Sequence, residues 1–207
     1  MKLYLFKYTG EKTTKKVDLS NDIFAISPND HAIYLDVKQY LASNRSGTHK
    51  AKERSEIKGS RRKLRKQKGS GAARVGDIKN PIFRGGGRAF GPRPRDYHFK
   101  LNKKVKRLAR KSALSYKAKE KNIIVLEDFK FKSPKTKNYL SFLEKLGLND
   151  FKTILILSES NKNLYLSARN IKQSRVVLAS ELNTYDVMNA NKLILMHSSV
   201  KVIEDNF

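Results

Sequence analysis

The chain has 207 residues, with 45 Lys or Arg against 19 Asp or Glu, a formal net charge of +26 and 39% apolar residues. That length supports one ordinary domain with a real core, and a compact body so charged repels itself unless a polyanion neutralises it, which points to nucleic acid or an anionic membrane. The absence of cysteine excludes disulfides and thiolate metal sites, and no apolar run approaches the roughly eighteen residues of a membrane span.

At the N-terminus, MKLYLFKYTGEK holds too short an apolar stretch for a signal peptide and no small-residue cleavage site. The Asn44-Arg45-Ser46 sequon carries little weight without secretion, so the chain reads as cytoplasmic. Residues 2–8 and 15–19 read as strands around a Thr9-Gly10-Glu11 turn. Residues 29–44 read as a helix with Ile33, Val37 and Leu41 on one face.

The composition then changes. Residues 45–111 carry 24 Lys or Arg and 4 acids, a net of +20, whereas the other 140 residues carry a net of only +6. Nine of the eleven glycines lie between Gly47 and Gly91, with three of the five prolines, so charge and backbone punctuation share one segment. Residues 45–97 show no sustained helical or strand period and far exceed an ordinary connector. The expected behaviour is disorder alone and order on a partner.

From residue 102 to 119 a helix is predicted, with Val105, Leu108, Ala109 and Ala113 inward and lysines outward. Strands and helices then alternate. Strands are predicted at 122–126, 153–157, 175–178 and 192–196. One helix opens at Ser133-Pro134, with Leu140, Leu143 and Leu146 apolar and Gly147 as its stop. Others cover 161–170, 184–190 with Thr184 as cap, and 199–205. Short unbroken apolar strands between helices imply an α/β fold, a mostly parallel sheet with helices on both faces. One long basic extended loop interrupts it. Residues 1–44 and 98–207 thus form one globular domain, and 45–97 the Arg/Lys/Gly-rich loop.

A plain linker would not interleave apolar residues with its charge. This segment does, through Ile57, Leu64, Val75, Ile78, Ile82, Phe83, Phe90, Tyr97 and, just beyond it, Phe99. Aromatic rings and guanidinium planes stack on bases, while Lys and Arg neutralise phosphates. The candidate RNA contacts on the first part of the loop are Arg45, His49, Lys50, Lys52, Arg54 and Lys58. The stretch 59–74 adds Arg61, Arg62, Lys63, Arg65, Lys66, Gln67, Lys68 and Arg74, with Gly69 and Gly71 as places of close approach. The return supplies Lys79, Phe83, Arg84, Gly85, Gly86, Gly87, Arg88, Phe90, Arg93 and Arg95, and Lys103 and Lys104 follow. Stiff prolines in Gly91-Pro92-Arg93-Pro94-Arg95 suit a threaded, extended backbone. A membrane reading fails, because no amphipathic helix with a large apolar face occurs there.

Other chemistries find little. Arg84-Gly85-Gly86-Gly87 lacks the Gly-Lys-Ser/Thr of a Walker loop, and the Gly69-Ser70-Gly71 run lacks the third glycine and the strand-to-helix setting of a dinucleotide fingerprint. His31, His49, His98 and His197 have no ligand spacing; His49 and His98 read as RNA or solvent contacts, His31 and His197 as structural. Asp36, Glu127, Asp128, Glu181 and Asp186 read as capping and surface charge. No catalytic set, metal site or cofactor is expected.

The loop's ordered short motifs carry a resemblance. They include Ser46-Gly47-Thr48-His49-Lys50, Arg54-Ser55-Glu56-Ile57 and Gln67-Lys68-Gly69-Ser70-Gly71, then Gly76-Asp77-Ile78-Lys79-Asn80-Pro81 and Phe90-Gly91-Pro92-Arg93-Pro94-Arg95-Asp96-Tyr97. Asn102-Lys103-Lys104, Ala109-Arg110-Lys111-Ser112-Ala113-Leu114, Pro134-Lys135-Thr136-Lys137 and Asn163-Leu164-Tyr165-Leu166-Ser167-Ala168-Arg169-Asn170 extend it over essentially the whole chain. Together they resemble the bacterial form of the universal L-four family of large-subunit ribosomal proteins. The resemblance implies an α/β domain on the outer subunit surface and a loop reaching inward through large-subunit (23S) rRNA. It implies rRNA binding early in assembly, with the tip, Arg62, Lys63, Leu64, Arg65 and Lys66, helping to line the nascent-peptide exit tunnel opposite another tunnel-lining protein. The implied partners are rRNA and neighbouring ribosomal proteins, with no membrane and no small-molecule substrate. Many bacterial members read Lys-Pro-Trp-Arg where this chain has Lys63-Leu64-Arg65-Lys66, and Ala72 stands where a basic residue is common.

Ordering a loop costs roughly 1–2 kcal/mol per residue, so only a large, highly charged interface offsets it over some fifty residues. Counterion release would supply much of the affinity, which should fall steeply with salt. Two rivals stay open on residues alone. A nucleic-acid-modifying α/β enzyme needs a cofactor fingerprint or clustered carboxylates at strand ends. A DNA-compacting protein would bind duplex DNA as well as folded rRNA.

Overall fold

A computed structural model of the protein describes residues 1–206. The chain divides into two units: Met1–Tyr40 with the chain from Lys100 onward, and Leu41–Phe99.

The first unit opens with β1 (Lys2–Phe6) and β2 (Lys12–Asp18), an antiparallel hairpin. A short helix α1 (Asn21–Phe24), which carried no period in the sequence, buries Ile23 and Phe24. Helix α2 (Asp30–Ser43) buries Ala32, Ile33, Asp36 and Gln39. Leu41, expected on the face of Ile33 and Val37, is 51% exposed. Each residue turns about 100°, so a position eight residues on lies some 80° off the starting face.

Helix α3 (Lys103–Lys119) buries Ala109, Ser112, Ala113 and Leu114 completely. The small Ala109, Ser112 and Ala113 let it lie close to its neighbours: the Ser115 hydroxyl donates to the Ile23 carbonyl at 3.0 Å, and the Asn29 amide donates to Ser112 Oγ at 3.1 Å. Two expectations fail here. Leu108 is exposed, and Lys117, expected outside with the other lysines, is buried.

The rest alternates as expected: β3 (Ile123–Leu126), α4 (Thr136–Lys145), β4 (Thr153–Leu157), α5 (Lys162–Ala168), β5 (Ser174–Leu178), α6 (Thr184–Asn189), β6 (Lys192–Met196) and α7 (His197–Asn206). A single 3₁₀ turn, Ala179–Glu181, was not foreseen. Helix α4 starts after Pro134, at Thr136, and turns Tyr139, Phe142 and Leu143 inward while Leu140 is exposed. Its end matches the sequence reading. Gly147 has φ +66°, and the Gly147 and Leu148 amides return to the Glu144 and Leu143 carbonyls, the paired closure of a Schellman motif. Asn183, not Thr184, caps α6, accepting from the Asp186 amide at 2.7 Å. Thr184 instead donates its hydroxyl to buried Asp36.

The six strands run in the order β2-β1-β3-β6-β4-β5, and every neighbouring pair except β1–β2 is parallel. Alternation along each central strand builds two cores. Val125, Ile154, Ile156, Leu193 and Leu195 face one, shared with α1, α2, α3, α6 and α7. Leu126, Leu155, Leu157, Ile194 and Met196 face the other, shared with α4 and α5. Helices therefore cover both faces, which is why TILIL of β4 is buried at every position. Edge strand β2, KTTKKVD, is mostly exposed and carries three lysines, a charge pattern that discourages further strand pairing.

Candidate nucleic-acid interface

The second unit contains no helix or strand between the end of α2 and the start of α3. Its two arms are nevertheless tied by backbone bonds. Arg95 donates to the Gly47 carbonyl, Ala51 to Pro92, Arg88 to Lys52 and Leu64 to Gly76, at 2.9 to 3.2 Å. Through these bonds the two arms hold each other. Glycine makes this possible at two places. Gly47 has φ +59°, and a Cβ there would lie 2.0 Å from the Arg95 carbonyl oxygen; one on Gly87 would lie 2.3 Å from the Arg54 nitrogen.

Side chains brace the same arms. The Arg54 guanidinium donates twice to Asp77, Nε to Oδ1 at 3.2 Å and Nη2 to Oδ2 at 3.0 Å. Lys50 pairs with Glu56, and Arg93 with Glu53. Near the base, Tyr97 lies beneath two guanidinium groups, Arg45 at 4.0 Å and Arg95 at 4.7 Å from the ring centre, and its hydroxyl meets His49 Nε2 at 3.0 Å. His98 Nδ1 lies 3.1 Å from the Ser43 hydroxyl. Three of the segment's four acids are thereby committed to its own cations.

Beyond the braces the picture changes. Residues 58–74 are exposed without interruption and carry eight Lys or Arg and no acid. Among the described residues no acid pairs with any of these cations, so their charge is free for an external polyanion. Of the sequence-derived candidates, Arg45, His49, Lys50, Lys52, Arg54, Lys58, every candidate from Arg61 to Arg74, Arg84, Gly85, Arg88, Arg93, Arg95, Lys103 and Lys104 are exposed. Phe83 and Gly86 are half-buried, and Lys79 and Gly87 are buried between the arms, where they serve the loop's own packing. Phe90 is fully exposed and, at φ +50°, holds a left-handed backbone that a bulky residue rarely adopts. Its ring is presented rather than packed. Tyr97 and Asp77 were not among the candidates. A lone acid in a basic run signals pairing, but its partner, twenty-three positions away, has no sequence signature.

Arg54 holds the Asp77 carboxyl below its ordinary value of 3.8, first through the hydrogen bonds and then through charge. A lowered carboxylate contributes stability that is complete above the ordinary value and is lost as pH falls through the lowered one. The brace should therefore be unchanged from neutral pH down to about pH 4 and loosen below it. Asp77→Asn should loosen it at every pH. Limited proteolysis at pH 7 should cut D77N in the loop several-fold faster than the parent; equal rates would show the bridge to be idle.

Of the five acids read as capping and surface charge, Asp36 and Asp186 are instead buried, and three have partners within the chain. Asp36 accepts from Thr184, Asp128 from the Ser198 hydroxyl at 2.7 Å, and Asp186 pairs with Arg175 and Asn183. His31 and His197, expected to be structural, are exposed. Among the described residues no group of three or more His, Asp or Glu is placed to hold a metal ion, and no helix is long and apolar enough to cross a membrane.

The sequence profile of the ribosomal protein L4/L1 family matches residues 17–206. The large ribosomal subunit protein uL4 of Flavobacterium johnsoniae is 60% identical over 206 residues, covering 100% of this chain and 99% of the relative. Proteins of the same name from Parabacteroides distasonis, 60% identical over 207 residues, and Flavobacterium psychrophilum, 59% over 206, match with the same coverage.

Proposed function

Since the chain belongs to the ribosomal protein L4/L1 family, we propose that it is a structural constituent of the large ribosomal subunit, cytoplasmic with the ribosome, and works by binding rRNA rather than by catalysis. Its residues 45–97 bind 23S rRNA early in assembly and extend toward the peptide exit tunnel. Residues 1–44 and 98–207 are the anchoring domain. Neighbouring ribosomal proteins, including the other tunnel-lining protein, complete the surroundings of the tip at Arg62, Lys63, Leu64, Arg65 and Lys66.

The observation that carries this reading is the acid-free run 58–74, exposed at every position, between two mutually braced arms. Bracing lowers the entropy lost on docking, because part of the order exists before the partner arrives. The exposed lysines and arginines then exchange condensed counterions for phosphates. Leu64, 47% exposed, and Arg65 stand at the tip, and Arg65 offers a planar cation that stacks on a base.

Co-sedimentation with salt-washed ribosomes from the protein's own source tests the reading. The chain should remain in the large subunit through a high-salt wash and leave only when the subunit is unfolded. Release by moderate salt, or no association, would overturn it.

A further inference from the structure

Away from the loop, the connection between β3 and α4 opens on Glu127-Asp128 and continues as FKFKSPK from Phe129 to Lys135, a stretch with three lysines and no further acid. Its aromatic residues line a crevice with the β1–β2 turn and α4. Tyr8 lies 6.1 Å from Phe129, Phe129 lies 5.4 Å from Phe131, and Phe142 backs Phe129 at 5.1 Å between ring centres. The space is about 470 Å³, and Lys130, Lys132 and Lys145 stand among its walls with Asn138 and Ser141. None of the lining residues is acidic.

The walls are tied to the domain at two points. Asn163 Nδ2 donates to the Phe131 carbonyl at 2.9 Å, which pins the connection. Behind Tyr8, the turn presses so closely on α4 that a Cβ at Gly10 would lie 2.4 Å from the Lys145 carbonyl oxygen. Phe129 and Phe131 are half-buried against the second core, whereas Tyr8 is 51% exposed and offers an aromatic face to solvent.

We infer that this crevice is a second RNA contact, separate from the loop, which takes one unpaired base of a single-stranded segment. An unstacked base fits a cavity of this size and gains by stacking on Tyr8, Phe129 or Phe131. The lysines meet the flanking phosphates, and Asn138 and Ser141 offer hydrogen bonds to the base edge. A duplex is excluded, because its bases are already stacked and paired. An acidic peptide would use the lysines but leave the ring faces idle. The inference takes its ligand class from the rRNA-binding role proposed above.

The test uses the full-length protein, a uridine octamer containing 4-thiouridine, and mass-spectrometric mapping of photo-crosslinks. Adducts should form on peptides bearing Tyr8, Phe129 or Phe131. Tyr8→Ala and Lys132→Glu, both at exposed positions, should each lower that yield by about tenfold and leave adducts within 58–74 and the melting temperature unchanged. Replacing Lys63, Arg65 and Lys66 by alanine should do the reverse, losing loop adducts and keeping crevice adducts. Loop adducts without crevice adducts would overturn the second site and leave the loop reading intact; adducts at neither would overturn both. Protection of the crevice by polyglutamate at concentrations below those of the octamer would mark it as a protein-docking surface and also overturn the inference.

Discussion

Replacing Arg61, Arg62, Lys63, Arg65, Lys66 and Lys68 together by alanine is expected to weaken binding to 23S rRNA by on the order of a hundredfold or more and to flatten its salt dependence. All six side chains are exposed, and none is paired to an acid within the protein. Each phosphate contact releases counterions, so the slope of log K against log salt should fall by roughly one for each cation that truly meets a phosphate. The slope is the more telling quantity. A fall near six would place the whole run on the RNA backbone, whereas a fall of one or two would leave most of it facing solvent or the tunnel. An unchanged slope would refute the docking of residues 58–74. Because all six replaced side chains are exposed, thermal unfolding of this variant should match the parent.

The largest effect on stability is expected at the centre of the sheet. Leu195 on β6 is fully buried, with Val125 of β3 and Ile156 of β4 in register on either side, and all three belong to one core. Strands on both flanks and helices above hold their places, so Leu195→Ala leaves a cavity that the surroundings cannot close. The cost should be about 2–5 kcal/mol, a large share of the roughly 5–15 kcal/mol that holds an ordinary domain folded. In a chain of this length that lowers the melting temperature by several degrees or more. The same change at Leu108, 39% exposed on α3, should cost under about 1 kcal/mol. Calorimetry of the two variants checks the contrast. Comparable losses would mean that α3 is packed by something beyond its own chain.

That contrast also marks how far periodicity reaches. The unbroken apolar strands announced a sheet buried on both faces, and their alternation with helices announced parallel pairing. Helical faces were read less well. Leu41, Leu108 and Leu140 are apolar at plausible spacings yet exposed, while Asp36, Ser112 and Lys117 are buried. A helix face is chosen by what packs on it, and buried polar residues earn their place through partners such as Thr184 and Asn29, distant in sequence.

Charge segregation and glycine placement in the sequence by themselves determined the class of partner, since net charge and its distribution are properties of the chain before it folds. They also singled out the stretch proposed as the contact region, because no folded core accepts eight cations in seventeen residues without acids. Only the tertiary structure decided which cations remain free. Asp77 and Glu53 each claim an arginine, Tyr97 gathers two more, and Lys79 is drawn between the arms. Three of these pairings, Arg54 with Asp77, Arg93 with Glu53 and Arg45 with Tyr97, join positions 23 to 52 residues apart, and their geometry exists only once the two arms lie side by side.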